Sequence, residues 1–83
     1  MNGKGYSEGS LSMMIDAANQ YIDAPGTRNN IIAKCHQELG LVVAGAPVYQ
    51  RAAITLTNPE VLAMRQAILR WRRAKKRSRD QSV

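Results

Sequence analysis

At 83 residues the chain has room for one small domain, whose limited core leaves little space for a catalytic cleft and its supporting side chains. Aliphatic residues, Ala and Met must fill that core, because the sequence has one Trp and no Phe, and the single cysteine excludes an intrachain disulfide. The net charge of +6 is uneven: residues 1–50 carry −1 and residues 51–83 carry +7, which points to a dedicated polyanion-binding end.

Taken in chain order, Met1 to Gly9 reads as a flexible N-terminus, since three glycines and few apolar residues do not offset the entropy of ordering. A first helix is predicted from about Ser10 to Ile22. Leu11, Met14, Ile15, Ala18 and Ile22 follow helical spacing, with Tyr21 at the edge. Ser10 or Ser7 is placed to cap it. Pro25 disfavours helical geometry at Ala24, so Asp23-Ala24-Pro25-Gly26 is read as the stop.

A second helix is predicted after Thr27. Ile31, Ile32, Cys35 and Leu39 share one face, and Gly40 stands where a left-handed C-terminal residue is expected. Leu41 to Ala44 is short and β-prone, and Gly45-Ala46-Pro47 is a turn signal. From Val48 to Thr57, apart from Gln50, one parity is apolar, as a half-buried strand requires. These two stretches predict a β-hairpin, although the alanines leave a helical reading of Val48 to Ala53 open.

The last helix has the clearest start. Thr57 with Glu60 three residues on has the capping-box spacing, and Asn58 before Pro59 offers a second cap. This helix is expected over 58–77, followed by a flexible tail, 78–83. The expected domain is thus 10–77, mainly α with a short β-hairpin (α-α-β-β-α), or a small helical domain with a long basic C-terminal helix.

Eight basic residues fall within fifteen positions of that helix: Arg65, Arg70, Arg72, Arg73, Lys75, Lys76, Arg77 and Arg79. Cations near a helix C-terminus complement its dipole, which accounts for one or two of them. Dense like charge is self-repelling unless a polyanion neutralises it. Arginine predominates, and its planar fork suits phosphate. Arg70, Arg72, Arg73, Lys75, Lys76, Arg77 and Arg79 are therefore the candidate phosphate contacts. Val61, Met64, Ile68 and Trp71 form an apolar stripe along the first half, suited to packing or to a homodimer. A membrane surface is not expected as the partner, because the charged half lacks a continuous apolar face.

Three segments together resemble the winged helix–turn–helix families of DNA-binding proteins: Thr27-Arg28-Asn29-Asn30-Ile31-Ile32, Glu38-Leu39-Gly40-Leu41-Val42 and Ala53-Ile54-Thr55-Leu56-Thr57. The likeness is one of pattern and covers roughly residues 11–60. It implies that the second helix enters the major groove by its first residues, with Arg28, Asn29, Asn30 and Lys34 as base readers and Gly45 to Arg51 as the wing. The same opening also reads as a polar helix start.

Other chemistry is thinly represented. Cys35 and His36 are adjacent and point about 100° apart on a helix, so they do not chelate one metal ion together. Asp16 and Asp23 are not marked as an acid/base pair, and the glycines before the first helix follow no strand as a phosphate loop would. No cofactor, metal or enzymatic activity is expected. The function implied is DNA binding, as a small transcriptional regulator. The alternatives are an adaptor or inhibitor docking on an acidic protein surface, and RNA binding. Met1 to Ser12 lacks the apolar run of a signal peptide, so a cytoplasmic, nucleoid-associated site is expected, or a nuclear one in a eukaryote.

Overall fold

The computed structural model describes residues 6–51 and 54–81. Three helices form it: α1 over Glu8–Tyr21, α2 over Pro25–Val43 and α3 over Asn58–Gln81. One 3-10 turn, Val48–Gln50, interrupts the link between α2 and α3. Among the described residues there is no strand. The predicted hairpin, and with it the winged-helix arrangement, is therefore replaced by a small helical bundle.

The caps explain two of the three helix starts. Ser7 is extended, and the Ser10 N–H donates to its Oγ at 3.1 Å, satisfying one of the first-turn donors. At α3 the capping box forms: the Thr57 N–H donates to Glu60 Oε1 at 2.9 Å, and the Glu60 N–H reaches Thr57 Oγ1 at 3.5 Å. No side chain caps α2. Ala24 is extended and Pro25 takes the first helical position, where its fixed φ and missing N–H cost nothing. The helix thus starts two residues before Thr27, after which the sequence predicted it to begin.

The end of α2 shows why the hairpin fails. Gly40 lies inside the helix, and the left-handed residue is Gly45, at φ +79°. The Gly45 N–H donates to the Val42 carbonyl and the Ala46 N–H to the Leu41 carbonyl, both at 3.0 Å. This is the six-to-one and five-to-two pairing of a Schellman cap, with proline soon after. Leu41, Val42 and Val43 are consequently the last turn of a helix and are not available to pair as a strand. The alternation further on does have a counterpart: Ile54 and Leu56 pack against the core while Thr55 and Thr57 are exposed. Alternation requires an extended chain, but a strand also requires a partner ladder. Gly45 to Arg51, read as a wing, is instead a helix cap, a 3-10 turn and a bend. Ala52 and Ala53 lie outside the described residues.

α1 is the central element. It packs against both α2 and α3, which touch each other sparingly. The core is Leu11, Met14, Ala17, Ala18, Ile22, Ile31, Cys35, Met64 and Ala67. The three alanines there allow the helix backbones to approach closely. The Cα radius of gyration is 13.8 Å, against about 12 Å for a compact chain of this length. The 24 residues of α3 account for the difference. They span about 36 Å, more than the small core can cover. The helix runs on to Gln81, past the predicted end at residue 77. The segments 1–5 and 82–83, parts of the expected flexible ends, lie outside the described residues.

Candidate nucleic-acid interface

α3 divides into a buried half and a basic half. In the first, Met64 and Ala67 are buried, and Ile68 and Trp71 pack against the core from its edge. Val61 is half-buried and lines an open apolar groove with Tyr6, Met13 and Met14. Of the stripe, Met64, Ile68 and Trp71 thus pack within the chain, while Val61 faces the groove. Ala67, which the stripe omitted, completes it.

Glu60 anchors this half. Its carboxylate is the acceptor in the capping box and also receives Lys34 Nζ at 2.8 Å, the one ion pair among the described residues. The bonded Lys34 ammonium, with the Thr57 N–H, holds the Glu60 carboxyl below its ordinary value of 4.5. Lys34, expected to read bases, ties α2 to α3 through this pair.

Arg28 has a local role too. Its Nη1 lies 3.5 Å from the Ile22 carbonyl. Arg70 Nη1 donates to the Tyr21 carbonyl at 3.2 Å. Both guanidinium groups therefore serve the open C-terminal end of α1, where carbonyls lack helical donors and the dipole is negative. Of the proposed base readers, only Asn29 and Asn30 are exposed without a hydrogen bond among the described residues. Arg51 is half-buried in the bend, and its Nε is enclosed without a partner among the described residues. On the core side of α2, Glu38 is 5% exposed and its Oε1 likewise has no partner among the described residues.

The basic half presents two ridges. Arg65, Arg72 and Lys76 recur at i, i+7 and i+11 on one flank. Arg70, Arg73 and Arg77 recur at i, i+3 and i+7 on the other, about a third of a turn away. All six are exposed. Between the ridges, facing away from the core, are Leu62 at 59% and Leu69 at 51% exposure. Lys75 lies apart from both, its Nζ 4.5 Å from the Trp71 ring centroid, a cation–π contact that draws it toward the bundle. The Arg79 side chain lies outside the described residues.

Three guanidinium groups and Tyr21 also enclose a cleft. Its volume is about 280 Å³, and Tyr21, Arg70, Arg73, Ala74 and Arg77 line it. A neighbouring cleft of about 210 Å³ shares Tyr21 and Arg70 and is bordered by Asp23. Sequence alone indicated the arginines but not Tyr21, which is 49 positions from Arg70 and carries no motif linking the two.

Among the described residues no group of His, Cys, Asp and Glu is placed to hold a metal ion, and no helix is long and apolar enough to cross a membrane. Compared with known proteins, the chain matches no family model, no curated protein and no solved structure.

Proposed function

We propose that this protein binds nucleic acid, DNA in preference to RNA, through the exposed half of α3, and that it serves as a small DNA-binding regulator. The observation that carries the reading is the pair of cationic ridges, six exposed side chains on two flanks of one helix, facing away from the core. Such an array attracts a polyanion from a distance and gains affinity by releasing condensed counterions. Contacts of this kind position a protein on the backbone without reading sequence. Base readout then rests on Asn29 and Asn30, since Arg28 and Lys34 hold the fold together.

A second reading rests on Leu62 and Leu69. Exposed leucines between arginines suit an acidic protein surface with an apolar centre, as an adaptor or inhibitor would use.

Salt titration of duplex binding separates the two. For the nucleic-acid reading, log K falls linearly with log salt at about −0.9 per phosphate neutralised, and less steeply, about −0.7, on single strands. Absence of DNA and RNA affinity at about 50 mM salt, where this electrostatic attraction is strong, removes the first reading in favour of the second. Tighter binding to duplex RNA than to duplex DNA reverses the preference between them.

A further inference from the structure

The cleft bounded by Tyr21, Arg70, Arg73, Ala74 and Arg77 differs from the rest of the basic surface. Arg65, Arg72 and Lys76 lie exposed on the other flank of α3. Here three guanidinium groups line one opening, and among the described residues no carboxylate lines it. Three like charges lining one opening repel one another. That cost is relieved by an anion in the opening.

One hydrogen bond between α3 and the end of α1 fixes Arg70 in advance. Arg70 is held by the Tyr21 carbonyl at 3.2 Å, which takes one of its five N–H donors. The others remain for a ligand. Helical spacing then stacks Arg73 and Arg77 beside it. Ala74 contributes the least side chain a helix former has, so the space between the arginines stays open. The volume, about 280 Å³, lies just under the range of about 300–1,000 Å³ for drug-sized ligands. It holds a single phosphate group with its waters.

We infer that this cleft is a phosphate seat, in which Arg73 and Arg77 grip the phosphate oxygens through their forks and Arg70, braced on α1, fixes the position. On nucleic acid the occupant is one backbone phosphate. The choice of macromolecule rests on the reading above, while the phosphate chemistry does not. The seat gives an otherwise diffuse attraction a fixed point. A phosphate held here sets how α1 and α3 lie against the strand, and so whether Asn29 and Asn30 face the bases.

The test uses the full chain and inorganic phosphate, followed by NMR at the arginine Nε–Hε groups in low salt. Saturable shifts at Arg70, Arg73 and Arg77, with Arg65 and Arg72 unmoved, are expected. A uniform, unsaturable drift at all five overturns the seat. Two variants then address the cleft in different ways. Ala74→Met fills the floor without changing charge. Arg73→Lys with Arg77→Lys keeps the charge and removes the forks, at exposed positions where folding is not at stake. Each is expected to abolish saturation and to weaken duplex binding about tenfold, the loss of one charged hydrogen bond. If wild type binds DNA and both variants match it, the seat is wrong and the nucleic-acid reading stands. If phosphate saturates the cleft while DNA and RNA do not bind, the seat stands and that reading is wrong.

Discussion

The two halves of α3 belong to one continuous helix and obey different constraints. Up to Trp71, the side chains on its inner face answer to the bundle: Glu60 closes a cap and an ion pair, Met64 and Ala67 are buried, and Trp71 lies along the core edge. Beyond it nearly every described side chain is a cation in water. The difference teaches that the bundle fixes where the basic half points without depending on what that half carries. Substitutions in the first half are therefore expected to move stability, and substitutions in the second to move binding.

The largest expected effect lies in the packed half's support. Ile31 is fully buried, and Ile31→Ala is expected to cost about 2–5 kcal/mol. Cys35 provides the readout. Its thiol is buried, and burial pushes its pKa from 9.0 to about 11, so at pH 8 a thiol reagent reacts only on opening. Labelling in Ile31→Ala should speed by at least tenfold, and an unchanged rate would place Ile31 outside the cooperative core. The raised folded pKa also fixes a sign: this contribution to stability is present below pH 9 and is lost as pH rises from 9 through 11.

Next is the cap at Gly45. Its φ of +79° is left-handed, and a side chain there costs roughly 1–2 kcal/mol, although nothing stands within 4 Å to obstruct one. Denaturant midpoints of Gly45→Ala and Gly40→Ala should move in opposite directions, because Gly40 is inside the helix, where alanine is favoured. Equal shifts would mean that α2 ends at Gly40 after all.

Glu60 gives a pH signature. Its folded pKa is lowered, chiefly by the Lys34 hydrogen bond and then by the Thr57 N–H. Its contribution is thus present above the ordinary value of 4.5 and is lost as pH falls through the lower folded value. Glu60→Gln should be less stable than wild type at pH 7, and the gap should narrow below pH 4. A gap that stays constant with pH would show that the carboxylate charge is not what joins α2 to α3.

The smallest stability effect is expected for Lys75→Ala. It removes an exposed cation–π contact worth about 0.5–1 kcal/mol and sits at the boundary between the halves. A loss well above that would extend the packed half past Trp71.

How far the sequence revealed this arrangement follows from the range of the interactions. The start of α3 was legible because Thr57 and Glu60 are three residues apart and their types name the cap. The apolar spacing of Leu11, Met14 and Ala18 was legible for the same local reason. The end of α2 was not. Gly40 and Gly45 are both plausible stops, and the choice depends on Leu39 and Val42 packing against the core. The alternation of Ile54 and Leu56 was real, but it marked a strap over the bundle, since no ladder partner exists among the described residues. Of the candidate site, the arginine run was plain in the sequence. Its division was not: Lys34 is 26 residues from Glu60, and Arg70 is 49 from Tyr21. No local pattern reports contacts at such separations, so the bracing contacts of Lys34 and Arg70 were not visible in the sequence.

The most direct test strips charge from the exposed half alone. Arg72→Gln, Arg73→Gln, Lys76→Gln and Arg77→Gln in one chain leave every named packing contact in place. The slope of log K against log salt for duplex DNA should become shallower by about 4, near one per phosphate-contacting residue. The unfolding free energy should stay within about 0.5 kcal/mol of wild type for each site. An unchanged slope, or a chain that no longer folds, would contradict the division of α3 into a half that packs and a half that binds.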